Sequence, residues 1–138
     1  MTVKQVIVMR KDLKMRRGKE IAQGAHASMK WLVERVRSHD AENRAPNGGW
    51  DCNHGGVQFR APEQEWIDGL FTKICLQVDS PEELTRIYHT ALHNGLMVYM
   101  ITDSGATEFN GVPTQTCLAI GPEYSERIDP ITQHLKLY

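Results

Sequence analysis

The segment QVIVMRKDLKMRRGKEIAQGAHASMKWLVERVR, residues 5–37, decides the fold. Its opening, Gln5-Val-Ile-Val-Met9, is a nearly continuous β-branched and apolar run, the pattern of a central strand buried on both faces. The basic loop Arg10-Lys-Asp-Leu-Lys-Met-Arg-Arg-Gly18 follows. It leads into a helix predicted from about Gly18 to Arg37, with Ile21, Ala25, Met29, Leu32 and Val36 as its apolar stripe. A buried strand feeding a basic helix start is the first unit of an α/β fold.

Downstream, residues 38–60 lose periodicity and collect Asn43, Pro46, Asn47, Gly48, Gly49, Asn53, Gly55 and Gly56, which reads as a long loop. Its large apolar residues Trp50 and Phe59 have little use in a solvated linker, so one or both are expected to be anchored, with Pro46 to Gly49 mobile. Pro62 at a first helical position opens a short helix containing Trp66 and Ile67. A strand over Thr72–Val78 alternates Ile74, Leu76 and Val78 with more polar positions. Ser80-Pro-Glu-Glu83 is a capping box, and Leu84, Ile87, Tyr88, Ala91 and Leu92 carry that helix to Gly95. The third strand, Met97–Ile101, is expected parallel to the second through a right-handed crossover. A fourth spans Thr114–Ile120 and ends at Gly121-Pro122, before a short helix and the tail His134–Tyr138. The order βααβαββα predicts one domain over residues 1–138: a three-layer α/β/α arrangement with a four-stranded mixed sheet.

Composition narrows the setting. Neither a signal peptide nor a membrane span is read, because the apolar runs fall far short of roughly 20 residues. Cys52, Cys75 and Cys117 are an odd set without paired spacing, which favours a reducing, cytoplasmic location over a disulfide framework. Cys52, His54 and nearby His39 match no standard metal-site spacing, so no metal or cofactor is expected. The net charge of −1 hides a strong asymmetry: residues 1–37 carry a net +7 and the remainder −8. A basic patch on a neutral protein still attracts polyanions, because the local field steers the ligand.

Ligands in open α/β sheets bind beyond the carboxyl ends of parallel strands. Two loops converge there. One ends in Arg16, Arg17, Gly18 and Lys19 at a helix start, where free N–H groups favour an anion. The other, Thr102-Asp-Ser-Gly-Ala-Thr107, brings Asp103 and Thr107 to the same edge if strands one and three share a direction. Lys19, Gln23, His26 and Lys30 are spaced 4, 3 and 4 and share a polar stripe expected beside the buried face. His26 fits a hydrogen-bonded partial-core position as well as catalysis, and Asp103-Ser-Gly105 fits a simple turn as well as a site. The sequence has no Gly-Xaa-Ser-Xaa-Gly elbow, phosphate-loop motif or HExxH helix.

Several segments together resemble the type II peptidyl-tRNA hydrolases. Val6-Ile-Val-Met-Arg-Lys-Asp-Leu-Lys-Met15 resembles that family's first strand and turn, and Gly18-Lys-Glu-Ile-Ala-Gln-Gly-Ala-His-Ala27 its helix start. Gly95 to Thr107, Ala119-Ile-Gly-Pro122 and Ile128 to Tyr138 resemble its later motifs in the same order. The resemblance implies a four-stranded mixed sheet, frequent homodimers and metal-independent hydrolysis of the ester in peptidyl-tRNA. It places catalytic roles on Lys19, Gln23, His26, Asp103 and Thr107. The basic side chains of Arg10, Lys11, Lys14, Arg16, Arg17 and Lys30 are the expected tRNA contacts. Four features depart from the family pattern: Ala106 replaces an arginine, Glu108 a glutamine, Arg16-Arg17 a Gly-Lys pair, and Gly111-Val-Pro113 lengthens a turn. These bear on substrate choice, so two rivals stand beside the implied activity: a same-fold hydrolase of another ester or amide, and a non-catalytic RNA- or protein-binding module.

Overall fold

The computed structural model of the chain describes residues 2–43 and 56–138. Its elements are β1 (Val3–Arg10), α1 (Arg17–Asn43), α2 (Ala61–Asp68), β2 (Lys73–Val78), α3 (Pro81–His93), β3 (Val98–Asp103), β4 (Thr114–Tyr124) and α4 (Ser125–Thr132). A 3-10 turn at Phe109–Gly111, which the sequence reading did not foresee, precedes β4.

The four strands form one mixed sheet in the order β2-β1-β4-β3. β1 is parallel to β2, with Val8 opposite Leu76, and antiparallel to β4, with Val8 opposite Leu118; β4 is antiparallel to β3. The uninterrupted apolar run of β1 follows from this central place, since both its faces are covered. On one face Val6, Val8, Leu118 and Ile120 pack with Leu84, Ile87 and Ala91 of α3 and Ile128 and Ile131 of α4. On the other, Ile7, Met9, Cys117 and Ala119 pack with Ala27 of α1 and Met15. α2 joins α1 on that face, with the rings of Trp31 and Trp66 6.3 Å apart. The result is a three-layer α/β/α arrangement.

The ends of α3 follow the local chemistry. Ser80 Oγ accepts from the Glu83 N–H at 3.1 Å, while the Glu83 carboxylate reaches past Ser80 to the Asp79 N–H. At the other end Gly95, at φ +70°, donates to the Leu92 carbonyl while Leu96 donates to that of Ala91, closing the helix with paired capping bonds.

As expected, β3 shares the direction of β2, with β1 and β4 lying between them. Several other expectations need correction. β4 continues through Gly121-Pro122 to Tyr124: those two residues form a bulge opposite Gln5, a place where proline's missing N–H is tolerated. Pro62 is the second residue of α2, not the first. Helix α1 extends to Asn43, so the predicted loop loses its first residues to the helix. The expectations for Pro46–Gly49, Trp50, Cys52 and His54 lie outside the described residues. Phe59 is held edge-on against Trp31 at 6.1 Å, as anticipated.

The inward stripe of α1 also differs. Gln23, Ala27 and Trp31 are buried, whereas Ile21 and Met29 are 67% and 55% exposed and Ala25 is exposed. The small Ala27 and Gly24 bring the helix close to β1: the Met9 methyl lies 3.7 Å from where a Cβ on Gly24 would sit. Gln23 occupies a core-facing position because its amide finds partners there.

Candidate active site

Because β1 and β3 point the same way, the start of α1 meets the end of β3. Lys19 Nζ donates to Asp103 Oδ1 at 2.6 Å and to Thr107 Oγ1 at 3.3 Å. Gln23 Nε2 reaches the same carboxylate oxygen at 3.4 Å, and its Oε1 accepts from the Thr116 hydroxyl at 2.5 Å. The second carboxylate oxygen accepts the Gly105 N–H at 2.9 Å. Lys19 and Asp103 are mostly covered, their side chains 15% and 11% exposed.

Two backbone features make this possible. The β3–β4 register slips between Ile101/Cys117 and Thr102/Gln115, leaving Thr116 as an extra residue on β4. In a regular strand Thr116 would face the α3 side with Leu118; the bulge turns it toward α1 instead, beside Cys117. Gly105 adopts φ +81°, and a Cβ there would lie 2.5 Å from the Val112 carbonyl oxygen, so only glycine presents its N–H to Asp103 at this place.

The electrostatics follow. The hydrogen bond from the Lys19 ammonium, helped by the Gly105 N–H and the charges of Lys19 and His26, outweighs burial and holds the Asp103 carboxyl below the usual carboxylate range. Asp103 is therefore an anion at neutral pH. Behind it, the Cys117 thiol donates to the Gln23 carbonyl at 3.4 Å, and burial pushes it up to about 12, so it stays protonated and inert.

His26 is exposed and faces a groove of about 680 Å³ between α1 and β3, whose lining also includes Gln23, Met29, Lys30 and Asp103. The geometry thus brings Lys19, Gln23, Asp103 and Thr107 into direct contact and places His26 on the same groove.

The basic residues divide. Lys11, Lys14, Arg16 and Arg17 are exposed around the start of α1. Arg10 is 9% exposed, paired with Asp12 and donating to the Gln115 carbonyl at 3.1 Å, so its guanidinium belongs to the fold. Lys30 reaches the Met100 carbonyl at 3.4 Å inside the groove rather than joining the basic edge. Arg16 and Glu108, two of the departures noted above, face each other at 4.0 Å. Among the described residues no cluster of His, Cys, Asp and Glu is arranged to hold a metal ion.

Sequence reasoning missed the parts of Thr116 and Cys117, and took Gly105 only as a member of the Asp103-Ser-Gly105 turn or site. Thr116 follows Thr114 and Gln115 at the polar start of its strand and so carries no local signal that sets it apart.

Residues 3–138 match the family described as peptidyl-tRNA hydrolase PTH2. A Methanocaldococcus jannaschii protein named peptidyl-tRNA hydrolase is 38% identical over 98% of the chain and 99% of its own length. One of the same name from Methanopyrus kandleri is 39% identical over 97% of each. Among solved structures, an Agrobacterium protein of unknown function aligns with TM-score 0.55 at 13% identity, covering all of this chain and 98% of its own, a likeness of fold alone.

Proposed function

The chain belongs to the peptidyl-tRNA hydrolase PTH2 family, and from that membership we propose that it hydrolyses the ester joining a peptide to the 3′ end of tRNA. The observation that carries the proposal is the Lys19–Asp103–Gln23 cluster, set where a basic helix start meets an open groove. Water adds to the ester carbonyl, the bond to the ribose oxygen breaks, and the proton lost by the water ends on that leaving oxygen. The products are a free peptide acid and free tRNA.

Asp103, fixed by three donors and held ionised, accepts a hydrogen bond from the attacking water and orients it. Its lowered basicity suits it to positioning more than to removing the proton outright. Lys19, beside the positive end of α1, offsets negative charge that develops on the ester oxygen or holds a nearby phosphate. Gln23 and Thr107 position Asp103 and Lys19, with Thr116 fixing Gln23 in turn, and His26 contributes a hydrogen bond to substrate from the groove wall.

Lys11, Lys14, Arg16 and Arg17 follow the tRNA backbone without reading sequence. Two arginines at a helix N-terminus oppose the helix dipole, a cost that a bound polyanion offsets. A cytoplasmic location accords with this substrate and with the absence, among the described residues, of any helix long and apolar enough to cross a membrane. A homodimer is the proposed assembly: Ile67, Leu70 and Phe71, exposed at the α2–β2 turn, offer apolar surface to a second copy. Release of free tRNA from a synthetic peptidyl-tRNA tests the activity. A same-fold hydrolase of another substrate, or a binding module, would leave that ester intact.

A further inference from the structure

The groove beside Asp103 has a direction. Its helical wall runs from Gln23 to Arg37, away from the basic start of α1, and its other wall is the end of β3 from Ile101 to Ser104. At 1.5 Å per residue the helical wall is about 21 Å long, the length of about six residues of extended chain. Ala25 and Met29 line it with exposed apolar surface.

β3 is an edge strand of the sheet, at the end opposite β2. The Met97 carbonyl accepts the Gly121 N–H from β4 at 2.9 Å, so alternate residues face β4 and the main-chain groups of Val98 and Met100 face the open side. There the Met100 carbonyl is met by Lys30 Nζ at 3.4 Å, a side chain standing where a strand donor would be. Among the described residues no strand pairs with this edge.

We infer that the peptide arm of the substrate lies in this groove as a fifth strand parallel to β3, held chiefly through its main chain. The inference rests on the proposed peptidyl-tRNA reaction. With the scissile ester at Asp103 and the tRNA on the basic side, the peptide leaves on the other side, where, among the described residues, the groove continues. Its carboxyl end lies at Asp103 and its amino end toward Val98, which sets the parallel direction. Strand addition draws affinity from backbone groups common to all peptides, and so makes binding largely indifferent to the peptide's sequence. Lys30 moves aside or rebonds to a peptide carbonyl as the strand enters.

Synthetic peptidyl-tRNAs carrying a six-residue peptide, N-methylated at one amide at a time, test this. In a parallel pair only alternate residues turn their N–H groups toward the partner. N-methylation at those positions is expected to raise KM about three- to tenfold, the scale of one hydrogen bond, with the intervening positions little affected. Met29→Lys is expected to raise KM more for the hexapeptidyl substrate than for an N-acetyl-aminoacyl one. Uniform tolerance of N-methylation, with no dependence on peptide length, would overturn the inference. So would a Met29→Lys protein that halves its mass in solution, since a second copy would then occupy the groove. Hydrolysis of the unmethylated parent keeps the reaction itself separate from this outcome; failure to cleave any member of the series would overturn both.

Discussion

Asp103 accepts from Lys19, Gln23 and the Gly105 N–H, so replacing it disturbs a group that every neighbour is arranged around. Asp103→Asn and Lys19→Ala are each expected to lower kcat by about 10²-fold or more with the fold retained, measured by single-turnover release. The Asp103 carboxyl is held below its ordinary value, so activity that needs the anion persists as pH falls toward that lowered value and is lost on passing through it. Lys19→Ala removes the main cause of the depression. The acid limb of the residual kcat profile should therefore move to higher pH, and an unmoved limb would mean that Asp103 does not govern it. Glu108→Gln leaves Arg16 without its facing carboxylate, and a modest gain in tRNA affinity at low salt is expected from a binding titration.

At the scale of elements, the strand-end loops and the first helix could be read from the chain because charge and turn residues cluster there in sequence. The inward face of α1 could not. Counting apolar residues points to Ile21 and Met29, yet the helix buries Gln23, a polar residue whose partners come from β3 and β4 some 80 to 93 positions away. Local rules fail where the partners that accommodate a polar residue come from distant strands. Thr116 was hidden for a related reason, since a register slip is a relation between two strands that neither displays alone. Reversing charge at Arg16 and Arg17 should flatten the fall of tRNA affinity with salt; an unchanged slope would remove both from the interface. Gly105→Ala should displace the loop from Val112 and deprive Asp103 of a donor, lowering kcat, as a turnover assay on folded protein would detect.

Across the whole molecule, the order of elements and the three layers follow from the apolar runs and caps, whereas the strand order β2-β1-β4-β3 does not, and one stabilising feature gave no sequence signal. Glu63 and Glu123 are buried, paired with Arg35, Arg60 and Arg127, and join α1, α2, β4 and α4. Charged residues ordinarily read as surface, so this network emerges only once the elements are packed. Burial pushes the Glu63 carboxyl upward, but hydrogen bonds from Arg35 and Arg60 outweigh it and hold the group low. Its contribution to stability is therefore present above the unfolded pKa and lost as pH falls through the folded one. Glu63→Ala leaves Arg35 without its carboxylate and Arg60 with Glu123 alone, and should lower the denaturation midpoint. The central claim is that this scaffold carries an ester hydrolase centred on Asp103. Single-turnover release of free tRNA from a model peptidyl-tRNA, with wild type beside Asp103→Asn, tests it most directly. The expected result is rapid release by the wild type and release slower by about 10²-fold in the variant, with tRNA binding kept. A folded Asp103→Asn protein that cleaves at the wild-type rate, or a wild type that binds the substrate and leaves its ester whole, would contradict it.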